Sequence, residues 1–134
     1  MKTEYKDLTI WITGASSGIG EALAINFAKQ GATIILSGRD NGKLKAVKKR
    51  CKQSKNHLVV PFDISDAKQA KEAYDKAKTH TGRIDWLINN AGVSQRSLIM
   101  DTAEDVERKI MEIDYFAQTQ LTRLVLPDMI AEGG

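Results

Sequence analysis

The chain has 134 residues, about one domain by length. Its 42% hydrophobic and 28% charged residues suit a globular chain that buries roughly two-thirds of its unfolded surface. The net charge is +3, the single cysteine, Cys51, excludes an internal disulfide, and two distant histidines, His57 and His80, are too few for a zinc site.

The N-terminus, MKTEYKDLTIWITG, has acidic residues ahead of any apolar stretch, so it does not read as a signal peptide. No apolar run approaches the ~18 residues of a membrane span, and the expectation is a cytoplasmic protein with no membrane segment. Leu8 to Thr13 is a short apolar, β-branched run that predicts a buried strand. A glycine-rich turn follows, then a helix over Glu21 to Gln30 with Leu23, Ala24 and Phe27 on its apolar face and Gly31 at its end. Ala32 to Ser37 predicts a second strand. The lysine-rich stretch from Lys43 to Lys55 comes next, with Leu44, Val47 and Cys51 at helical spacing. Its lysines read as the solvated face of an amphipathic helix; no aromatic residues are interleaved for base stacking, so no nucleic-acid partner is expected.

His57 to Phe62 predicts the third strand, Ser65 or Asp66 caps a helix with an Ala70, Ala73, Ala77 stripe, and Ile84 to Asn89 predicts the fourth. Trp11 and Trp86 fall in strands and read as core. Thr102 with Asp105 resembles a capping box for a last, long helix. Val106, Ile110, Ile113, Ala117, Leu121 and Leu124 give that helix a continuous buried stripe, which Pro127 should kink or end. Four strands alternating with helices predict an α/β, Rossmann-type, doubly wound parallel sheet, incomplete by one strand, with residues 1–134 as one dinucleotide-binding portion.

The turn Thr13-Gly14-Ala15-Ser16-Ser17-Gly18-Ile19-Gly20 lies between the first strand and the first helix. In that context Gly14 permits a tight turn, Gly18 lets backbone approach a pyrophosphate, and Gly20 allows close packing of the helix. The helix start offers unpaired N–H groups and a positive dipole end to phosphate, with Ser16 and Ser17 as added donors. No Gly-Lys-Ser/Thr closes the turn, which excludes a P-loop nucleotidase.

The GxxxGxG spacing resembles that of the short-chain dehydrogenase/reductase family, in its single-domain branch. Three later segments carry the same resemblance in the same order: Leu36-Ser37-Gly38-Arg39-Asp40, Asp63-Ile64-Ser65-Asp66 and Asn89-Asn90-Ala91-Gly92. The stretch from Val93 to Met129 is similar to the member-seven group of that family's carbonyl reductases, which implies apolar carbonyl substrates.

The resemblance implies a nicotinamide dinucleotide as cofactor. Gly14, Ser16, Ser17, Gly18, Ile19 and Gly20 would hold its diphosphate. Arg39, after a Gly38 that carries no acid, matches the NADP-preferring pattern, because a guanidinium grips a 2′-phosphate in two places; NAD is the less favoured cofactor. Asp40 beside it is unfavourable for a phosphate unless it turns away. Asp63 would accept from the adenine amine, Ile64 would flank the ring, and Asn90, Ala91 and Gly92 would line the cofactor.

The family's chemistry is hydride transfer between nicotinamide and a carbonyl or alcohol carbon, assisted by a serine and a Tyr-x-x-x-Lys pair beyond a fifth strand. The sequence stops before that strand, so the 134 residues are expected to be inactive alone, with a small-molecule carbonyl or alcohol as partner only of a longer form. Tyr74-Asp75-Lys76-Ala77-Lys78 spells the pair but sits on a covering helix, away from the strand ends where ligands bind. The family's helical asparagine falls on Asp114, an acceptor without amide donors. A long apolar helix with one side uncovered would favour a homo-oligomer. The alternative function is a non-catalytic dinucleotide-binding sensor or interaction module.

Overall fold

The computed structural model describes residues 4–133. Four parallel strands, β1 (Thr9–Thr13), β2 (Thr33–Gly38), β3 (Leu58–Pro61) and β4 (Trp86–Ile88), form one sheet in the order β3-β2-β1-β4. The sequential crossovers are α1 (Gly18–Lys29), α2 (Asn41–Arg50) and α3 (Ala67–Thr81). After β4 the chain passes through an irregular segment into α4 (Glu104–Met111), a π-helical turn over Glu112–Phe116, and α5 (Ala117–Ala131). This is the Rossmann-like α/β architecture that the alternating pattern predicts.

The period of two along β1 and β2 divides the core. Ile10, Ile12, Ile34 and Leu36 pack with Ala24 and Ala28 of α1 and with Leu44 and Val47 of α2 on one face. Trp11 and Ile35 pack on the other, against the Ala70, Ala73, Ala77 stripe of α3 and against Ala117, Leu121 and Val125 of α5. Both faces of a central strand are therefore dry, which is why β1 reads as a continuous apolar run. The buried indole Nε1 of Trp11 donates to Ser37 Oγ at 2.8 Å, so the one polar atom of that side chain is satisfied. The lysines of α2 point outward, as its pattern requires, while Cys51 is buried and its thiol is pushed up by that burial.

His57, just before β3, is 2% exposed. Its Nδ1 accepts the Ile34 amide at 3.1 Å and its Nε2 lies 2.7 Å from the Lys52 carbonyl. The two contacts assign the neutral ring with the proton on Nε2, and burial holds its pKa below the usual histidine value.

Several expectations are corrected. Helix α1 begins at Gly18 rather than Glu21, so the last glycines of the turn lie inside its first turn. The Thr102–Asp105 capping box does not form: Ala103 holds the N-cap position, and Thr102 Oγ1 donates to the Leu98 carbonyl at 3.0 Å. The long helix is interrupted by the π-helical turn. Ala117 and Leu121 beyond the turn are buried as expected, joined by Val125, whereas Val106, Ile110, Ile113 and Leu124 are only half-buried. Pro127 does not end α5, which runs four residues further to Ala131; Pro127 and Arg123 are exposed, so the carbonyl that loses its partner is on the wet side. Trp86 is not core. It lies in the outermost strand of the order, 42% exposed, with edge-on contacts to Tyr5 and Phe27 at 5.5 and 5.9 Å between ring centroids. Among the described residues no helix is long and apolar enough to cross a membrane.

Candidate functional site

The chain reverses its direction of winding at β1: β2 and β3 lie to one side and β4 to the other. In an open α/β sheet the crevice forms there, beyond the carboxyl ends of the strands. A cleft of about 490 Å³ occupies that position, within the range of small-molecule sites. Its lining brings together Thr13, Gly14, Ser16 and Ser17 after β1, Gly38 and Arg39 after β2, Asp63 and Ile64 after β3, and Asn90, Ala91 and Gly92 after β4. Residues up to 78 positions apart meet at this rim, as the Ala91 amide to Thr13 shows.

The turn is shaped by what it must pass. A Cβ on Gly14 would stand 2.9 Å from Ala91 Cα, and one on Gly20 would collide with the Gly14 carbonyl and lie 2.6 Å from Asn90 Nδ2. Gly20 therefore packs against the turn and the Asn90 side chain, which refines the expected helix-on-sheet contact. Gly18 has φ +56° and open space where its Cβ would be, so the backbone there faces no protein atom. Ser17 occupies the N-cap position with extended backbone, yet its hydroxyl makes no capping bond. The first N–H groups of α1 are thus without a side-chain acceptor. Gly18, Ile19 and Gly20 are outside the cleft lining, and Ile19 is 72% exposed.

Thr13 Oγ1, buried, accepts the amides of Asn90 and Ala91 at 3.0 Å each and donates to the Ile88 carbonyl. Asn90 Nδ2 donates in return to the carbonyls of Thr13 and Gly14 at 3.1 and 3.2 Å. Its amide nitrogen is therefore engaged by backbone. Gln118 Nε2 donates to the Ala91 carbonyl. Asp114 lies outside the lining; its Oδ1 accepts the Val93 amide at 2.9 Å. That contact needs only an acceptor, which aspartate supplies as well as asparagine would.

Arg39 is exposed at the rim and makes no ion pair among the described residues. Asp40 turns away from it to cap α2, accepting the Lys43 amide at 3.0 Å. Asp63 Oδ1 accepts from the Ser65 hydroxyl and amide at 2.7 and 3.0 Å. Those bonds, then the nearby Arg39 guanidinium, hold the Asp63 carboxyl below its usual range despite partial desolvation. It is a fixed anionic acceptor.

The cleft also has a helical wall that the sequence pattern did not single out: Lys109, Glu112 and Ile113, with Val93 at its foot. Their spacing of three and four was the available signal, hidden because the same residues read as the flank of a buried stripe. The Tyr74–Lys78 pair is elsewhere. Tyr74 Oη donates to Asp128, and Lys78 Nζ lies 2.6 Å from Glu132 and 3.2 Å from Asp128, tying α3 to α5. Desolvation, then the Asp128 carboxylate, pushes the Tyr74 hydroxyl up to about 12, the reverse of an activated proton donor.

A family model described as short chain dehydrogenase matches residues 8–134. Dehydrogenase/reductase SDR family member 7 from Homo sapiens is 46% identical over 132 residues, covering 95% of this chain and 39% of that protein. The chain thus spans about two-fifths of the length of the curated relatives it matches. An L-sorbose reductase from Gluconobacter frateurii, solved with NADPH and L-sorbose, superposes with TM-score 0.91 at 32% identity, covering 100% of this chain and 52% of that one. A 3-ketoacyl-(acyl-carrier-protein) reductase from Brucella melitensis, solved with NADH, superposes with TM-score 0.90 at 28% identity, covering 96% and 52%.

Proposed function

This chain belongs to the short-chain dehydrogenase family, and on that premise we propose that residues 1–134 form the NADP(H)-binding portion of an oxidoreductase that transfers hydride between nicotinamide and a carbonyl or alcohol carbon. The observation that carries the reading is the cleft, in which the glycine turn, Arg39, Asp63 with Ile64 and the Asn90–Gly92 segment share one lining. A nicotinamide dinucleotide, when bound, supplies the hydride. The chain's residues fit one: the open backbone at Gly18 and the uncapped start of α1 suit a diphosphate, and the unpaired Arg39 suits a 2′-phosphate. Gly38 carries no acid to compete for it, and Asp40 is engaged in its cap. Asp63, held ionised, accepts from an amine, and the buried Ile64 gives a flat ring an apolar surface.

Among the described residues no tyrosine lines the cleft. Here Asp114 fixes the chain after Gly92 through the Val93 amide and acts as a positioning residue. Calorimetry on the full-length protein tests the reading. NADPH is expected to bind more tightly than NADH, and Arg39→Ala is expected to weaken NADPH alone, by roughly tenfold or more for a lost charge-assisted contact. Failure of both cofactors to bind would overturn it. Turnover of ketones with NADPH separates a reductase from a non-catalytic sensor, for which binding would occur without turnover.

A further inference from the structure

The helical wall of the cleft carries three lining residues, Lys109, Glu112 and Ile113. Ile113 packs into the cluster that contains Phe62 and Ile64, and this fixes the rotation of the helix. Lys109, one turn earlier on the same face, is exposed and lines the same cleft as Ile64 and Asp63. Arg39 and Asp63 line this cleft as well, without forming an ion pair.

Some cations elsewhere on this molecule have carboxylate partners. Arg108, adjacent to Lys109, pairs with Glu104 at 2.6 Å, and Lys71 pairs with Asp75 at 2.5 Å. Among the described residues, Lys109 and Arg39 take part in no such pair, although Glu112 is only three residues from Lys109. The charged groups of the cleft are thus two cations free of carboxylates and two acids, Asp63 and Glu112. That set suits a ligand with both anionic groups and N–H or O–H donors, as a dinucleotide has in its phosphates, adenine amine and ribose hydroxyls.

We propose that Lys109 is a second cationic contact for the phosphate groups of the bound dinucleotide, made from the helical wall. It rests on the dinucleotide reading of the cleft. Because Lys109 is exposed, its replacement leaves the core untouched.

The test is titration of the full-length protein and its Lys109→Ala and Lys109→Arg variants with NADPH and with NADH, each at low and high salt. Lys109→Ala is expected to weaken NADPH roughly threefold to tenfold, the scale of a partly solvated ion pair. It should also flatten the salt dependence of binding, while Lys109→Arg restores both. A loss confined to NADPH assigns the 2′-phosphate; an equal loss with NADH assigns the diphosphate; either supports the proposal. Unchanged affinity for both cofactors in Lys109→Ala overturns it, and if Arg39→Ala still weakens NADPH, the dinucleotide reading survives that result. A wild-type protein that binds neither cofactor overturns both.

Discussion

The two walls of the cleft are held in different ways. On the strand side, Thr13, Asn90 and the carbonyls of Thr13 and Gly14 form a closed set of hydrogen bonds around glycines that have no room for a methyl group. On the helical side, α4 has no buried residue, and the wall is anchored by the half-buried Ile113, the Asp114 contact to Val93 and the Gln118 contact to Ala91. One wall is over-determined, and the other is attached at a few points. A rigid surface suits backbone recognition of a diphosphate, which demands fixed amides, while a loosely attached wall can adjust around the rest of a ligand.

Substitutions sharpen that contrast. The largest effect is expected for Gly20→Ala, whose methyl group meets the Gly14 carbonyl and Asn90; a loss of about 3 kcal/mol in denaturant unfolding would fit overpacking at a fixed site. Thr13→Val keeps the shape but removes the acceptor of two amides and should cost about 2 kcal/mol. A smaller cost for Thr13→Val than for exposed polar changes on α4 would contradict the rigid-wall account.

Next comes His57, beneath β2 and away from both walls. Burial holds its folded pKa below the ordinary histidine value of 6.5, so the unfolded chain takes up the proton first. Stability is fully present above that pH and declines as pH falls through and below it. His57→Phe should remove this slope, measured as the unfolding midpoint against pH. Asp114→Ala, on the loosely attached wall, should cost about 1 kcal/mol by leaving the Val93 amide without its acceptor, and Asp114→Asn should restore it. The smallest change is expected from Tyr74→Phe. It loses one partly exposed bond to Asp128, worth about 0.5–1 kcal/mol, and should leave cofactor affinity as it was.

The strand-side wall was legible in the sequence because its constraints are local and steric. Gly14, Gly18 and Gly20 stand where a strand turns into a helix, and Asn90 to Gly92 follow the next apolar run, so the residue types carry the geometry with them. The helical wall was not legible. Lys109 and Glu112 lie on a helix whose apolar positions suggested one unbroken stripe, and no residue type announces the π-helical turn over Glu112–Phe116 that interrupts it. Thr102 and Asp105 had the spacing of a capping box, but the Leu98 carbonyl takes the threonine hydroxyl instead. Trp86 reads as core by residue type. Only the strand order, which puts β4 on the outside, explains why its ring is half open. Sheet order is a long-range property, and periodicity does not encode it.

The central claim is that one dinucleotide lies across the carboxyl ends of all four strands. Amide chemical shifts of the isotope-labelled full-length protein during an NADPH titration test it directly. The account predicts shifts gathered at Gly14 to Gly20, Gly38 to Arg39, Asp63 to Ile64 and Asn90 to Gly92, with the lysine-rich α2 silent. Shifts concentrated on α2, or none at the glycine turn, would contradict it.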